Sequence, residues 1–211
     1  MSIICPTITA QDAHTYREEM ERVEPFAHRL HIDLADGVLA PRKLIDIDKL
    51  WWPGNKIVDL HVMYQKPFEY LELFIVHHPN LVIVHAEADG DFRQFAELMH
   101  RHGIEVGLAL LPETEVRTIT PALPQTDHVL FFSGNLGYQG GSKADFGLLE
   151  KVKAVRKLKP SVEIGWDGGV NDQNAKRLAE AGVDVLNAGG FIQKADDPAV
   201  AYRKIQAAIQ S

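Results

Sequence analysis

Short apolar runs alternate with amphipathic stretches from one end of the chain to the other, and this alternation limits the fold more than any other feature. The runs read as strands at Ile3–Cys5, Arg29–Asp33, Lys56–His61, Leu81–His85, Glu105–Leu110, His128–Phe132, Glu163–Asp167 and Val185–Asn187. Between them, apolar residues at i, i+3 and i+4 spacing predict helices over Ala10–Arg22, Pro67–Val76, Phe92–His102, Ala144–Lys157, Asp172–Ala181 and Pro198–Gln210. The helical pattern is weaker over Leu44–Leu50 and Glu113–Ile119. Gly103 and Gly182 each follow a helical stretch and precede a strand, as helix-terminating glycines do. Eight strands with interleaved helices point to the α/β class and a single closed (β/α)8 TIM barrel. An open doubly wound sheet normally uses fewer strands and a glycine-rich first turn, whereas the first turn here is CPTITAQD. At 211 residues the chain suits one barrel, so one domain over residues 1–211 is expected.

Composition narrows the function classes. An apolar fraction of 45% with 24% charged residues fits neither disorder nor a membrane protein, and no run approaches the roughly 18 apolar residues a spanning helix needs. The start, MSIICPTIT, lacks a basic segment and a small-residue cleavage site; it is expected to form the first strand of a cytoplasmic protein, not a signal peptide. A net charge of -7 argues against nucleic acid as a partner, yet a few backbone amides can still hold a small phosphorylated ligand. The single cysteine, Cys5, excludes an intrachain disulfide and is expected to be a buried, inert thiol.

On such a barrel, reactive residues belong at the C-terminal ends of strands and in the loops that follow. That rule selects His31 and Asp33 on the second strand, His61 on the third, His85 and Glu87 at the fourth, and Asp167 on the seventh. In LHIDLADG (Leu30–Gly37), His31 and Asp33 are two apart in a strand and share one face. Any one such histidine is more often a hydrogen-bonded core residue, and a pair of carboxylates can be a solvated rim. Together, two histidines and two carboxylates at converging strand ends can supply four ligands to a divalent metal such as zinc, iron, manganese or cobalt. Carboxylates facing each other over a pocket can also do acid and base work on opposite faces of one substrate. Glycines recur after strands six, seven and eight, in GYQGG (Gly137–Gly141), DGG (Asp167–Gly169) and NAGG (Asn187–Gly190). Loops at these positions, with a short extra helix, frequently bind phosphate through bare backbone amides.

These stretches, with CPTIT, VDLHVMYQKP (Val58–Pro67), VHAEA (Val84–Ala88), GLALLPET (Gly107–Thr114), WDGGVN (Trp166–Asn171) and AGVDVLNAGGFI (Ala181–Ile192), give the chain a pattern that resembles the ribulose-phosphate 3-epimerase family over nearly its whole length. The resemblance implies that His31, Asp33, His61 and Asp167 hold one divalent metal ion, Zn, Fe, Mn or Co. It also makes Asp33 and Asp167 the catalytic acid/base pair. Thr7, His61 and Met63 would line the substrate pocket, and Gly168, Gly169, Gly189 and Gly190, helped by Gly140, would hold the phosphate. The implied reaction is inversion at C3 of a small phosphorylated ketose through an enediolate, D-ribulose 5-phosphate to D-xylulose 5-phosphate by default, in a homo-oligomer.

Departures from the family pattern fall on the pocket wall. Ala35 and Phe132 stand where methionines are usual, Leu111 replaces an asparagine and Gly190 a serine, and Val38–Arg42 lacks a usual histidine, aromatic and asparagine. The phosphate loop reads GYQGG in place of G-F-G-G-Q, with Gln139 at a glycine position. Ala35 in place of methionine is expected to open space, so a ketohexose 6-phosphate such as D-allulose 6-phosphate is the alternative substrate. A barrel that binds a sugar phosphate without turning it over would be expected to lose a ligand or an aspartate, and none is lost. Decarboxylating barrels resembling orotidine-phosphate decarboxylase carry a lysine between two aspartates on an early strand, whereas Asp33 and Asp36 enclose Leu34 and Ala35. WWPG (Trp51–Gly54) reads as packing on the barrel flank, or else as a subunit contact.

Overall fold

In the computed structural model, which describes residues 2–210, the eight expected strands all form. They are β1 (Ile3–Ile8), β2 (Arg29–Ala35), β3 (Ile57–Met63), β4 (Leu81–His85), β5 (Glu105–Leu110), β6 (His128–Phe132), β7 (Glu163–Asp167) and β8 (Val185–Ala188). Every neighbour pair is parallel and in chain order, and pairing of β1 with β8 closes the barrel. The architecture is a single (β/α)8 TIM barrel. The expected domain over residues 1–211 includes Met1 and Ser211, which lie outside the described residues.

The first three strands run further than their apolar patterns suggest. Pro6 lacks a backbone donor, yet it pairs in register with Ala188 and β1 continues to Ile8, which brings Thr7 opposite His31. On β2 and β3 the register carries on through Ala35 and Met63.

Helices α1 (Ala13–Val23), α2 (Leu71–His77), α3 (Phe92–Arg101), α4 (Leu149–Leu158), α5 (Ala175–Glu180), the one-turn α6 (Gly190–Gln193) and α7 (Pro198–Gln210) surround the sheet. The first starts later than Ala10 because the Asp12 carboxylate accepts from the backbone N–H of His14 and Thr15 and caps the helix there. Leu44–Leu50 and Glu113–Ile119 form only single 3-10 turns, at Ile47–Lys49 and Val116–Thr118. The second lies between Pro112 and the pair Pro121 and Pro124, and prolines cannot donate within a longer helix.

Two shells of side chains follow from the period of two along each strand. Outward residues such as Ile32, Leu60, Val84, Leu108, Phe131 and Trp166 pack under the helices. Inside the barrel, Leu81, Ile83, Ala109 and Leu130 form an apolar plug on β4 to β6. Cys5 is buried and free, as expected. Trp51 and Trp52 lie on the flank: the Tyr16 hydroxyl donates to the Trp51 carbonyl at 2.6 Å, and Trp52 packs on the core. Among the described residues no helix is long and apolar enough to cross a membrane.

Candidate metal centre

Register on adjacent strands brings the sequence-selected side chains together. Asp33 on β2 is the cross-strand partner of His61 on β3, and Phe132 on β6 is the partner of Asp167 on β7. His31, Asp33, His61 and Asp167 are all buried, and one ligand atom from each lies within 4.8 Å of the others. His31 Nε2 is 3.4 Å from Asp33 Oδ1 and 3.8 Å from Asp167 Oδ2; His61 Nδ1 is 2.9 and 3.6 Å from the same two atoms.

The donor chemistry fits a divalent cation. Neither ring nitrogen of the fully buried His31 has a hydrogen-bond partner, an expensive arrangement for a dry site. His61 is oriented from behind: its Nε2 is 2.9 Å from His85 Nε2, and His85 Nδ1 is 3.2 Å from Glu87 Oε2. Burial lowers the His85 pKa, and the chain from Glu87 through His85 fixes the orientation of the His61 ring, whose Nδ1 faces the carboxylates. His85 and Glu87 therefore stand behind His61, outside the group of four side chains that could hold an ion. Nitrogen and oxygen donors in this mixture suit zinc, iron, manganese or cobalt.

The two aspartates are electrostatically unlike. Burial alone would raise Asp33, but the close approach of the His31 and His61 rings outweighs it and holds its carboxyl well below the usual range. Asp167 is pushed up to about 6, first by burial and then by repulsion from Asp33. Thr9 Oγ1 donates to Asp33 Oδ2 at 2.7 Å, a contact the sequence pattern did not single out.

A cavity of about 280 Å³ opens beside these groups. Of the expected substrate residues, Thr7, Met63, Gly140, Gly168, Gly169, Gly189 and Gly190 line it together with Asp33 and Asp167. His61 lies behind its wall. Gly168 and Gly169, at φ 113° and 71°, could not be other residues: a Cβ on the first would sit 2.4 Å from the Ser133 backbone, and on the second 2.3 Å from that of Ala144. Phe132 also lines the cavity, its ring centroid 5.5 Å from that of His61. Ala35 does not. It is enclosed by Ala40, Leu44, Met63 and Leu136, so the space expected from losing a methionine is filled by the chain itself. Asn187, on β8 in register with Asp167, lines the cavity with both side-chain polar atoms unpartnered, as is Thr7 Oγ1. Its signal was a lone polar residue at inward parity in the run VLNA.

Comparison with known proteins agrees with this geometry. The model of the ribulose-phosphate 3 epimerase family matches residues 3–193. Ribulose-phosphate 3-epimerases of Helicobacter pylori (strain ATCC 700392 / 26695) and Mycobacterium tuberculosis (strain ATCC 25618 / H37Rv) are 31% and 32% identical to the chain. The alignments cover 99% and 97% of this chain, and 98% and 91% of those proteins. Among solved structures, 3-hexulose-6-phosphate synthase from Salmonella typhimurium superposes with a TM-score of 0.74 at 20% identity, covering 100% of this chain and 99% of that one. KGPDC from Streptococcus mutans gives 0.75 at 12% identity, covering 99% and 97%. These two likenesses concern the barrel alone.

Proposed function

This chain belongs to the ribulose-phosphate 3-epimerase family, and from that premise we propose that it is an isomerase inverting C3 of a phosphorylated ketose, D-ribulose 5-phosphate and D-xylulose 5-phosphate being the default pair. The observation that carries the reading is the convergence of two aspartates and two histidines on one point beside a glycine-walled cavity. A divalent ion held by His31, Asp33, His61 and Asp167 would supply electrostatic stabilisation for negative charge developing on the ketone. The proton work falls to the chain's own carboxylates. Asp33, kept ionised by its histidine neighbours, takes the C3 proton from one face. The electrons left on carbon delocalise to the adjacent carbonyl, giving an enediolate. Asp167 returns a solvent-derived proton to the opposite face, and the roles exchange in the reverse direction. Thr9 fixes the orientation of Asp33, and Met63 and Phe132 keep water from the reacting carbon. The backbone of Gly140, Gly168, Gly169, Gly189 and Gly190 anchors the phosphate, and Thr7 contacts the sugar.

Turnover of D-ribulose 5-phosphate in deuterated water with added metal tests the reading. The expected product is D-xylulose 5-phosphate carrying one solvent deuterium at C3; product without that deuterium, or no turnover of either ketose, overturns it.

One observation favours a longer substrate. Leu111, Pro112 and Glu113 line a second concavity that adjoins the first through Phe132, Gly134, Asn135, Tyr138 and Gly140. It offers room for an additional carbon, and D-allulose 6-phosphate is the ketohexose to assay beside the pentuloses. The same reading includes a cytoplasmic homo-oligomer, for which sedimentation of the purified protein is the check.

A further inference from the structure

The cavity beside the metal centre has an uneven charge lining. Two carboxylates, Asp33 and Asp167, face it, and among its lining residues the sole lysine or arginine is Lys194. A phosphate ester entering this space carries up to two negative charges into a site that already holds two. A divalent ion offsets the carboxylates; backbone amides contribute only partial charges to the phosphate.

Lys194 stands where a countercharge is needed. It caps the C-terminal end of α6, its N–H reaching the Gly190 carbonyl. The side chain turns back over the loop that follows β6. Its Nζ donates to the Gln139 carbonyl at 3.2 Å and lies 3.1 Å from where a Cβ on Gly140 would be. At the same seam the loops after β6 and β8 touch, since a Cβ on Gly190 would meet Gly140 Cα at 2.8 Å. The ammonium therefore sits at the junction of the glycine loops. Glu19, the carboxylate whose ionisation it assists, is engaged elsewhere, accepting from Thr9 N–H at 2.8 Å and from Gln139 Nε2 at 3.2 Å. A single carbonyl is a weak partner for a full positive charge, and a lysine holding only that can exchange it for a stronger acceptor.

We propose that Lys194 is the charged ligand of the substrate phosphate, leaving the Gln139 carbonyl to ion-pair with a phosphate monoester seated between the loops after β6, β7 and β8. This rests on the reading of the cavity as a sugar-phosphate site. It makes the phosphate handle of this chain part amide cradle and part cation, with Gln139 supplying the resting partner of the cation.

Inorganic phosphate is the probe, titrated into the metal-loaded protein by calorimetry so that binding is read apart from turnover. Lys194→Met is expected to weaken phosphate about tenfold or more, as loss of a charge-assisted hydrogen bond does, and to flatten the dependence of affinity on salt. Lys194→Arg is expected to restore most of both. With the ketose phosphate as substrate, the methionine variant should raise KM more than it lowers kcat. A lysine that only clamps Gln139 predicts equal phosphate affinity and equal salt dependence in wild type and Lys194→Met, and that result overturns the assignment whatever the turnover. Wild-type protein that binds phosphate through Lys194 yet turns over neither ketose supports the assignment and overturns the epimerase reading instead.

Discussion

The barrel carries a buried polar layer at each end, built on largely the same strands, and the two are balanced differently. At the N-terminal end, Arg29 Nε donates to Asp59 at 2.7 Å while its two terminal nitrogens grip Glu163 at 2.8 and 2.7 Å; His128 Nδ1 lies 2.7 Å from the same glutamate. Gly165 makes room for that imidazole, since a Cβ there would lie 2.3 Å from His128 Nε2. Two and four residues further along β2 come His31 and Asp33; His61 follows Asp59, and Asp167 follows Glu163. At this C-terminal end, among the described residues, the ion-pair partners of the two aspartates are histidines, with no guanidinium or ammonium. As metal ligands both imidazoles would be neutral, leaving two negative charges, the balance one divalent cation would supply. A buried carboxylate with its own arginine is architecture; two that share only histidines call for something from solution.

The largest expected effect breaks the C-terminal layer. On the proposed reading Asp33→Asn and Asp167→Asn each remove a proton carrier and a charged ligand, and each should lower kcat about 10⁴-fold, the upper range for loss of a general acid or base. Circular dichroism should show the fold intact. Either variant retaining turnover within about tenfold of wild type would remove that residue from the proton pathway.

Breaking the N-terminal layer should cost stability and spare the chemistry. Arg29→Met strands Asp59, whose pKa burial already raises, and Glu163, which Arg29 and His128 hold ionised. Leaving such charges unpaired costs about 3 to 5 kcal/mol. Urea unfolding should record that loss while metal stoichiometry of the folded protein stays the same. A variant that unfolds no more easily but loses its metal would erase the distinction between the two layers.

Metal and pH sharpen the comparison at a smaller scale. Metal at a hundred times its Kd should stabilise the fold by about 2.7 kcal/mol, an increment Arg29→Met should leave unaltered. Without metal, Asp167 titrates near 6 when folded against an ordinary value of 3.8. A raised carboxyl pKa means that the fold binds a proton the unfolded chain has released. Its stabilising contribution is complete below about 3.8 and is lost as pH rises through 6. Asp33 runs the other way, contributing above 3.8 and losing that contribution only in stronger acid. Metal must displace the Asp167 proton and any proton on His31, whose pKa burial lowers but neighbouring carboxylates raise above its ordinary 6.5, so affinity should climb with pH through about 6 and level off only once His31 is neutral. Calorimetry at about pH 5 and about pH 7 reads this difference, and equal affinities would mean that Asp167 is already ionised in the metal-free protein.

What could be read from the sequence was whatever rests on local period and punctuation. Strands β4 to β7 match their apolar runs residue for residue because each is bounded by turn residues or helix ends, and the His-x-Asp spacing alone put His31 and Asp33 on one face. Relations set by register were hidden. Thr9 reaches Asp33 only because β1 continues past Pro6 beside β2, and Arg29 meets Glu163 only through closure of the barrel. Ala35 shows the limit most clearly. The lost methionine was legible, but its consequence lay in the Leu44 and Leu136 side chains that close over the gap.

That finding moves the question of substrate choice from Ala35 to Phe132. The Phe132 ring lies between the two concavities, with centroids 5.5 Å from His61 and 6.0 Å from His85, and it leaves so little room that a Cβ on Gly134 would come within 2.8 Å of it. Phe132→Met keeps the wall apolar at a stability cost below about 1.5 kcal/mol, while replacing a rigid ring with a slender chain. One carbon in an apolar pocket discriminates by about 1 to 3 kcal/mol, so the kcat/KM ratio of D-allulose 6-phosphate to D-ribulose 5-phosphate should rise roughly tenfold. Ala35→Met is the matched control. Forced among Ala40, Leu44, Met63 and Leu136, it should lose about 1 to 3 kcal/mol of stability with the ratio unmoved. Competition between the two ketoses in one assay reads both variants, and a ratio that follows residue 35 and ignores residue 132 would put the selective wall on the β2 side of the barrel.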